Sequence, residues 1–239
     1  MELSFAYIND DEKKMEKAFR FRYEIFCEEK NFFDGESLYG PMETDLFDEY
    51  SLHFGAFDQF GDIKGYARLV CHSENGYPMQ RLCPYEITGA KDFIGESSAE
   101  VSRLAITKDF RSFYQKSSMG NTGAANNKND TDLYIAPQIQ FGLFRMICAA
   151  CLQLDITHVF AVMEPFLYKR LLRFSLKFKA IGDEFENHGK VFPFLGRISD
   201  FEKSLFSGNL SLFPFQDQNS EDFHSDVPFL IASYGKICA

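Results

Sequence analysis

The chain of 239 residues contains no tryptophan, so any aromatic recognition falls to Phe, Tyr and His. Cysteine and histidine are sparse and scattered. The six cysteines (Cys27, Cys71, Cys83, Cys148, Cys151, Cys238) form no disulfide framework, and the five histidines show no metal-ligand spacing, so no structural metal is expected. "CAAC" at Cys148–Cys151 has redox-like spacing but lies within a helical apolar stripe, which reads as core cysteine. No apolar run approaches the ~20 residues of a membrane span. "MELSFAYIND" lacks the basic start and apolar stretch of an export signal. A cytoplasmic protein with no integral membrane segment is therefore expected. Positive charge is also in short supply: the net charge of −10 argues against general nucleic-acid binding. Internal repeats and a clear domain boundary are absent as well.

Phenylalanine, by contrast, is abundant. With 28 Phe and 45% hydrophobic residues the chain can build a proper core. Most of those rings must belong to that core, and the surplus suits a cavity for something long and apolar. Charge is unevenly spread: 101–180 carries +6, and the remainder −16. A basic third on an acidic chain fits an anionic partner, or is merely solvated.

The patterning predicts a strand at "LSFAYI", then a helix over "DDEKKMEKAFRFRYEIFCEE" capped by Asp10 or Asp11. An acidic loop follows. "LHFGAFD" and "IKGYARLVC" alternate as strands around a "QFGD" hairpin turn. A loop through Pro78 and Pro84 leads to a fourth strand, "AEVSRLAIT". Lys116–Asp132 reads as a flexible insertion. Pro137 suits the first turn of a helix reaching about Leu154, with Ile139, Leu143, Ile147, Ala150, Cys151 and Leu154 as its buried stripe. "HVFAVM" is a buried strand, "PFLYKRLLRFSLKF" a helix with a basic face, and "KAIG" and "KVFPF" closing strands. The last forty residues are weakly patterned, and "QDQNSEDFHSD" reads as solvated. This order specifies an α/β layered fold.

Charged residues occupy positions where apolar ones are expected. Arg22 lies on the apolar side of the first helix, Asp45 and Asp48 precede the second strand, and Arg68 interrupts "GYARLV". Glu100 and Arg103 interrupt the fourth strand. Each alone has an ordinary explanation in snorkelling, capping or exposure. Together, on neighbouring elements, they point to a connected buried network. Strict alternation puts Glu100 and Arg103 on opposite faces, so a bulge near Val101 or Ser102 is expected to turn both toward one cleft.

The ordered stretches "RYEIFCEEKNF", "ETDLFDEYSLHF", "GYARLV" and "EVSRLAI" resemble the acyl-homoserine-lactone synthases and the related long-chain N-acyl amino acid synthases. "THVFAVMEPFLYKRLL" and "ENHGKVFPF" look closer to the exosortase-associated (PEP-CTERM) acyltransferases of that group. The resemblance covers roughly Arg20 to Phe194. It implies a GNAT-like (acyl-CoA N-acyltransferase) αβα fold around a mixed, mostly antiparallel sheet. The GNAT-like domain would span 1–198, and 199–239 would form a C-terminal extension packed on or trailing it.

By the same resemblance Glu100 and Arg103 are the catalytic pair, with Glu100 taking the amine proton directly or through water. Backbone N–H groups freed by the bulge would hold the thioester oxygen. Arg22, Phe26, Asp45, Asp48, Arg68 and Ser102 would shape the acceptor site, and Phe141 and Phe144 are candidates for an acyl tunnel. The homoserine-lactone branch has a Trp after its first helix; here Phe32 or Phe33 fills that place, which favours an ordinary amino acid over S-adenosylmethionine as the amine acceptor. "ITKDFRSFYQKSS" lacks a glycine-spaced pyrophosphate loop, which favours an acidic acyl carrier protein over coenzyme A as the carrier of the acyl cosubstrate. Its contacts would include Arg103, Lys108, Arg111, Lys116 and Arg145, and no permanently bound cofactor is implied. Four alternatives stay open: autoinducer synthesis from S-adenosylmethionine, acetyl-coenzyme A-dependent N-acetylation, a non-catalytic acyl-binding role, and a Glu100–Arg103 ion pair without catalytic consequence.

Overall fold

The computed structural model describes residues 2–33, 40–83, 88–110 and 132–206. The insertion expected over 116–132 falls, but for Asp132, outside the described residues, as does the segment at 216–226.

In chain order the elements are β1 (Leu3–Tyr7), α1 (Glu12–Tyr23) and a π-helical turn (Glu24–Glu29), then a 3-10 turn (Asp48–Tyr50), β2 (Ser51–Asp58) and β3 (Ile63–Cys71). Next come α2 (Pro78–Leu82), a 3-10 segment (Thr88–Phe93), β4 (Ser98–Ile106) and α3 (Asp132–Gln153). The last are β5 (His158–Met163), α4 (Pro165–Arg173), β6 (Phe178–Ala180), β7 (Phe185–Glu186), β8 (Lys190–Arg197) and α5 (Ile198–Phe206). The sheet runs β1-β2-β3-β4-β5-β8-β6, with β7 paired to β8. Among the described strands only the β4–β5 pairing is parallel. Among the described residues no helix is long and apolar enough to cross a membrane.

Alternation along β3 assigns the two faces. Ala67, Leu69 and Cys71 pack with Ile139, Leu143, Ile147, Ala150 and Cys151 of α3, joined by Ile198, Phe201 and Leu205 of α5. Both cysteines of "CAAC" are fully buried there, as core residues. Tyr66 and Val70 point the other way. Tyr66 meets Ala18 and Phe21 of α1, and Val70 meets Phe47 and Met79. Arg68 lies between them on that same face.

Two glycines serve specific geometry. Gly61 adopts φ 78° in the "QFGD" turn, closing the β2–β3 hairpin. Gly65 lies directly under α3, where a Cβ would run into Ile139 Cγ2. Since Ile139 is fully buried, it has no room to yield. Gly65→Ala is expected to destabilise the protein by about 1–3 kcal/mol, read as a lower denaturant midpoint at unchanged slope; an unshifted midpoint contradicts the close packing.

Several boundaries differ from the sequence expectation. The first helix, capped by Asp11 accepting from Lys14 N at 3.0 Å, loosens into π geometry after Tyr23, with Lys30 N donating to Ile25 O at 3.2 Å. Pro137 lies in the interior of α3 rather than its first turn, because that helix begins at Asp132. Pro78 opens a short helix instead of a loop. The basic helix stops at Arg173, and Phe178 starts β6.

Candidate active site

Arg22 is fully buried. Its Nε donates to Glu43 Oε2 at 2.6 Å and its Nη1 to Asp48 Oδ1 at 2.6 Å. Arg68, also fully buried, donates through Nη1 to Asp45 Oδ1 and Asp48 Oδ1, both at 2.6 Å, and through Nη2 to Asp45 Oδ2 at 3.0 Å. Its Nε reaches Ser102 Oγ at 3.0 Å. Arg103 completes the chain, donating to Glu43 Oε1 at 2.9 Å and to Asp45 Oδ2 at 3.0 Å. Three guanidinium groups thus meet three carboxylates, and the set is neutral. Pairing of this kind makes the burial of so many charges tolerable. Burial pushes Glu43 and Asp48 upward, but Arg22 acting with Arg103 or Arg68 reverses this and holds both below their ordinary range.

Tyr66 and His53 extend the network. Burial lowers His53 to about 4, so its ring is neutral at pH 7. Its Nε2 lies 3.1 Å from the Asp48 carbonyl and must donate there, so Nδ1 accepts from the Tyr66 hydroxyl. The Tyr66 oxygen in turn accepts from Arg22 Nη1 at 3.3 Å.

Glu100 stands apart as a seventh charge. It is buried, and Oε2 accepts from the Met79 backbone N–H at 2.8 Å, its one hydrogen bond among the described residues. No ion pair joins it to Arg103 or any other described cation. Burial raises its carboxyl to about 7, and the Met79 N–H, Arg68 and Arg103 offset this only in part. A carboxyl poised near neutrality is suited to accept a proton.

The β4 strand is irregular where the ion network meets it. Arg68 pairs with Ser102 and Tyr66 with Ala105, so Ala67 alone faces both Arg103 and Leu104. The bulge expected at Val101 or Ser102 therefore falls at Arg103–Leu104, and the strand is regular through Ser102. Arg103 takes φ 53°, which turns its side chain onto the face shared by Glu100 and Ser102. On its other edge β4 pairs with β5 only over Ser98–Glu100. Beyond Glu100 the two strands part, and a cleft of 370 Å³ opens between them. Glu100, Ser102 and Arg103 line it from β4, Met163 and Glu164 from β5, and Phe26, Phe32 and Phe33 from the segment after α1. Arg103 lies 4.5 Å from the Phe33 ring centroid and 5.7 Å from that of Phe26. Farther along, the wall turns apolar with Phe144, Leu167 and Leu171.

Arg22, Asp45, Asp48, Arg68, Ser102 and Arg103 thus share one network, Phe26 packs under Arg103, and Glu100 lies beside it. Phe144 lines the cleft, whereas Phe141 packs against Phe174. Lys108 is exposed just past β4; Arg111 and Lys116 lie outside the described residues. Arg145 is not a docking contact: it is buried in α3, with its guanidinium 5.3 Å from the Phe206 ring. Sequence reasoning passed over Glu43, although it opens "ETDLFDEY", and also His53, Tyr66 and the Met79 N–H. In the sequence three arginines already match three acids, Asp45, Asp48 and Glu100, so nothing signals Glu43; it is needed only because Glu100 stands outside the ion pairs.

The architecture is the GNAT fold: a mixed sheet, mostly antiparallel, flanked by helices on both faces. A family profile described as an acetyltransferase (GNAT) domain matches residues 21–120, from α1 through β4. Among solved structures, the AHL synthase LasI is 17% identical with a TM-score of 0.62, over 87% of this chain and 95% of that one. A CoA-dependent acyl-homoserine lactone synthase, BjaI, with MTA gives 19% and 0.63, over 85% of each chain. FeeM, an N-acyl amino acid synthase from uncultured soil microbes, gives 15% and 0.51, over 89% of this chain and 99% of that one. At these identities the likeness is one of fold. No curated protein matches the chain in sequence.

Proposed function

We propose that the protein is an N-acyltransferase that moves a long or medium fatty acyl chain from a carrier-protein thioester to the amine of an amino acid or similar small acceptor. The observation that carries this reading is Glu100: a buried carboxyl with no cation partner among the described residues, poised near neutrality in the cleft where β4 and β5 part. In the proposed step the neutral amine attacks the thioester carbonyl. The C–N bond forms, the C–S bond breaks, the amine proton passes to Glu100 directly or through water, and the thiolate leaves and takes up a proton. Developing charge on the carbonyl oxygen needs N–H donors. In this reading they come from β4 past Glu100, where β5 no longer pairs with it and the bulge at Arg103–Leu104 re-aims the backbone.

The apolar wall at Phe144, Leu167 and Leu171 favours a fatty chain over an acetyl group. An acidic carrier fits α4 and its continuation: Pro165–Ala180 holds five Lys or Arg and no acid. Lys169, Arg173, Lys177 and Lys179 are exposed there, and Phe166 stands exposed at the cleft. This surface replaces Arg145 as the carrier contact, beside Lys108. A cytoplasmic reaction and the exosortase association belong to the same proposal and rest on the text of the sequence.

Mass spectrometry of lipid extracts from cells expressing the chain tests the reading. N-acylated amino acids, absent from a vector control, are expected. Methylthioadenosine accumulating with an acyl lactone instead supports autoinducer synthesis, and no N-acyl product with acyl carrier protein present contradicts the proposal.

A further inference from the structure

The turn between β7 and β8 carries chemistry that the acyl-transfer step leaves unused. His188 takes φ 52°, which is unfavourable for a residue with a Cβ, and Gly189 takes 123°, a conformation open to glycine. Two hydrogen bonds fix the turn: Asn187 N to Gly189 O at 2.9 Å, and Gly189 N to Glu186 Oε1 at 3.0 Å. The consequence is where the imidazole goes. His188 stacks on Phe32, with centroids 4.7 Å apart and planes at 23°, fastening the end of the sheet to the segment after α1. The Lys30 ammonium lies 4.9 Å from the centroid of the same Phe32 ring. Lys30, Phe32, Asn187 and Arg103 all line the cleft that Glu100 reaches.

These polar groups are uncommitted. Lys30 makes no ion pair among the described residues, and its contact with an aromatic face holds the charge without neutralising it. The Asn187 side-chain amide makes no hydrogen bond among the described residues. Arg103 spends Nε and Nη2 on Glu43 and Asp45, and its Nη1 makes no hydrogen bond among the described residues. Cations and an amide donor around an aromatic floor suit a carboxylate and oppose a sulfonium or a second ammonium.

We propose that Lys30, Asn187 and the open edge of Arg103 form a carboxylate-binding subsite, positioned by the His188–Phe32 stack, that selects acceptors bearing a free carboxylate. This rests on the acyl-transfer reading and specifies its acceptor. The carboxylate anchors the acceptor at the aromatic end of the cleft, and its amine is left to face Glu100.

The test is equilibrium competition against a fluorescent fatty acid, using N-dodecanoylglycine and N-dodecanoylglycinamide, which differ only in the carboxylate. The wild-type protein is expected to bind the acid about tenfold more tightly than the amide. Lys30→Met and Asn187→Ala should each bring that ratio toward one, and Lys30→Arg should keep it. A wild-type ratio of one, an unchanged ratio in Lys30→Met, or failure of both probes to bind overturns the subsite. Binding needs no turnover, so a protein that discriminates the probes yet forms no amide keeps the subsite and loses the transferase reading.

Discussion

Glu100→Gln is expected to lower kcat about 10²- to 10⁴-fold, the usual contribution of a positioned general base, while the protein stays folded. The amide oxygen of Gln can still accept from the Met79 N–H, so the one hydrogen bond that holds the side chain is kept. What disappears is the proton acceptor. In the wild type the active form is the carboxylate, and the group titrates near 7. Its kcat should therefore rise as pH approaches about 7 and level off above it, and the variant should lose this step. Stability should move the opposite way. The folded-state value lies above the ordinary 4.5, so between 4.5 and 7 the unfolded chain gives up the proton first, and stability drains away as pH rises through that window. At pH 8 the variant should be more stable than wild type by about 3 kcal/mol, with no difference at pH 4. Stopped-assay pH profiles and urea unfolding at the two pH values check both halves. A variant with full activity removes Glu100 as the base.

Breaking the ion network should be equally conspicuous, but as a loss of fold. Arg22→Met strands Glu43 and Asp48 beside each other with too few cations, and Arg68→Met does the same to Asp45 and Asp48. Removing one partner of a buried pair leaves an uncompensated charge, which costs about 3–5 kcal/mol. In a chain of this size that lowers Tm by roughly 10 °C. Adding Asp48→Asn to Arg22→Met should recover part of the loss, since it removes one stranded charge. Calorimetry of the three variants decides the matter. A change under about 1 kcal/mol for either arginine contradicts the picture of a neutral, mutually dependent set.

The layers of the fold were legible because periodicity changes sharply along the chain: period two in β2 and β3, helical spacing in α1 and α3. Most of the site was legible too, since Arg22, Arg68 and Arg103 of the network, and Glu100 beside it, interrupt apolar runs. Glu43 was not, because an acid in an acidic loop looks solvated, and its partner Arg103 lies 60 residues away. The bulge was anticipated from the need to bring Glu100 and Arg103 to one face. Its place at Arg103–Leu104 is set by register against Ala67, whose small side chain gives no sign of facing two residues. Arg145 read as a surface cation because the ring that covers it, Phe206, comes from a helix hidden in weakly patterned sequence. Pro137 was placed at a helix start by its preference for first turns, but the helix begins five residues earlier, at Asp132.

The most direct measurement is a single-turnover reaction of the purified chain with a ¹⁴C-dodecanoyl carrier-protein thioester and unlabelled amino acids. The label should move into an N-acyl amino acid while one free carrier thiol appears for each amide formed, and Glu100→Gln should leave the label on the carrier. Thiol released without amide, or label transferred equally well by Glu100→Gln, would contradict an N-acyltransferase built around that carboxyl.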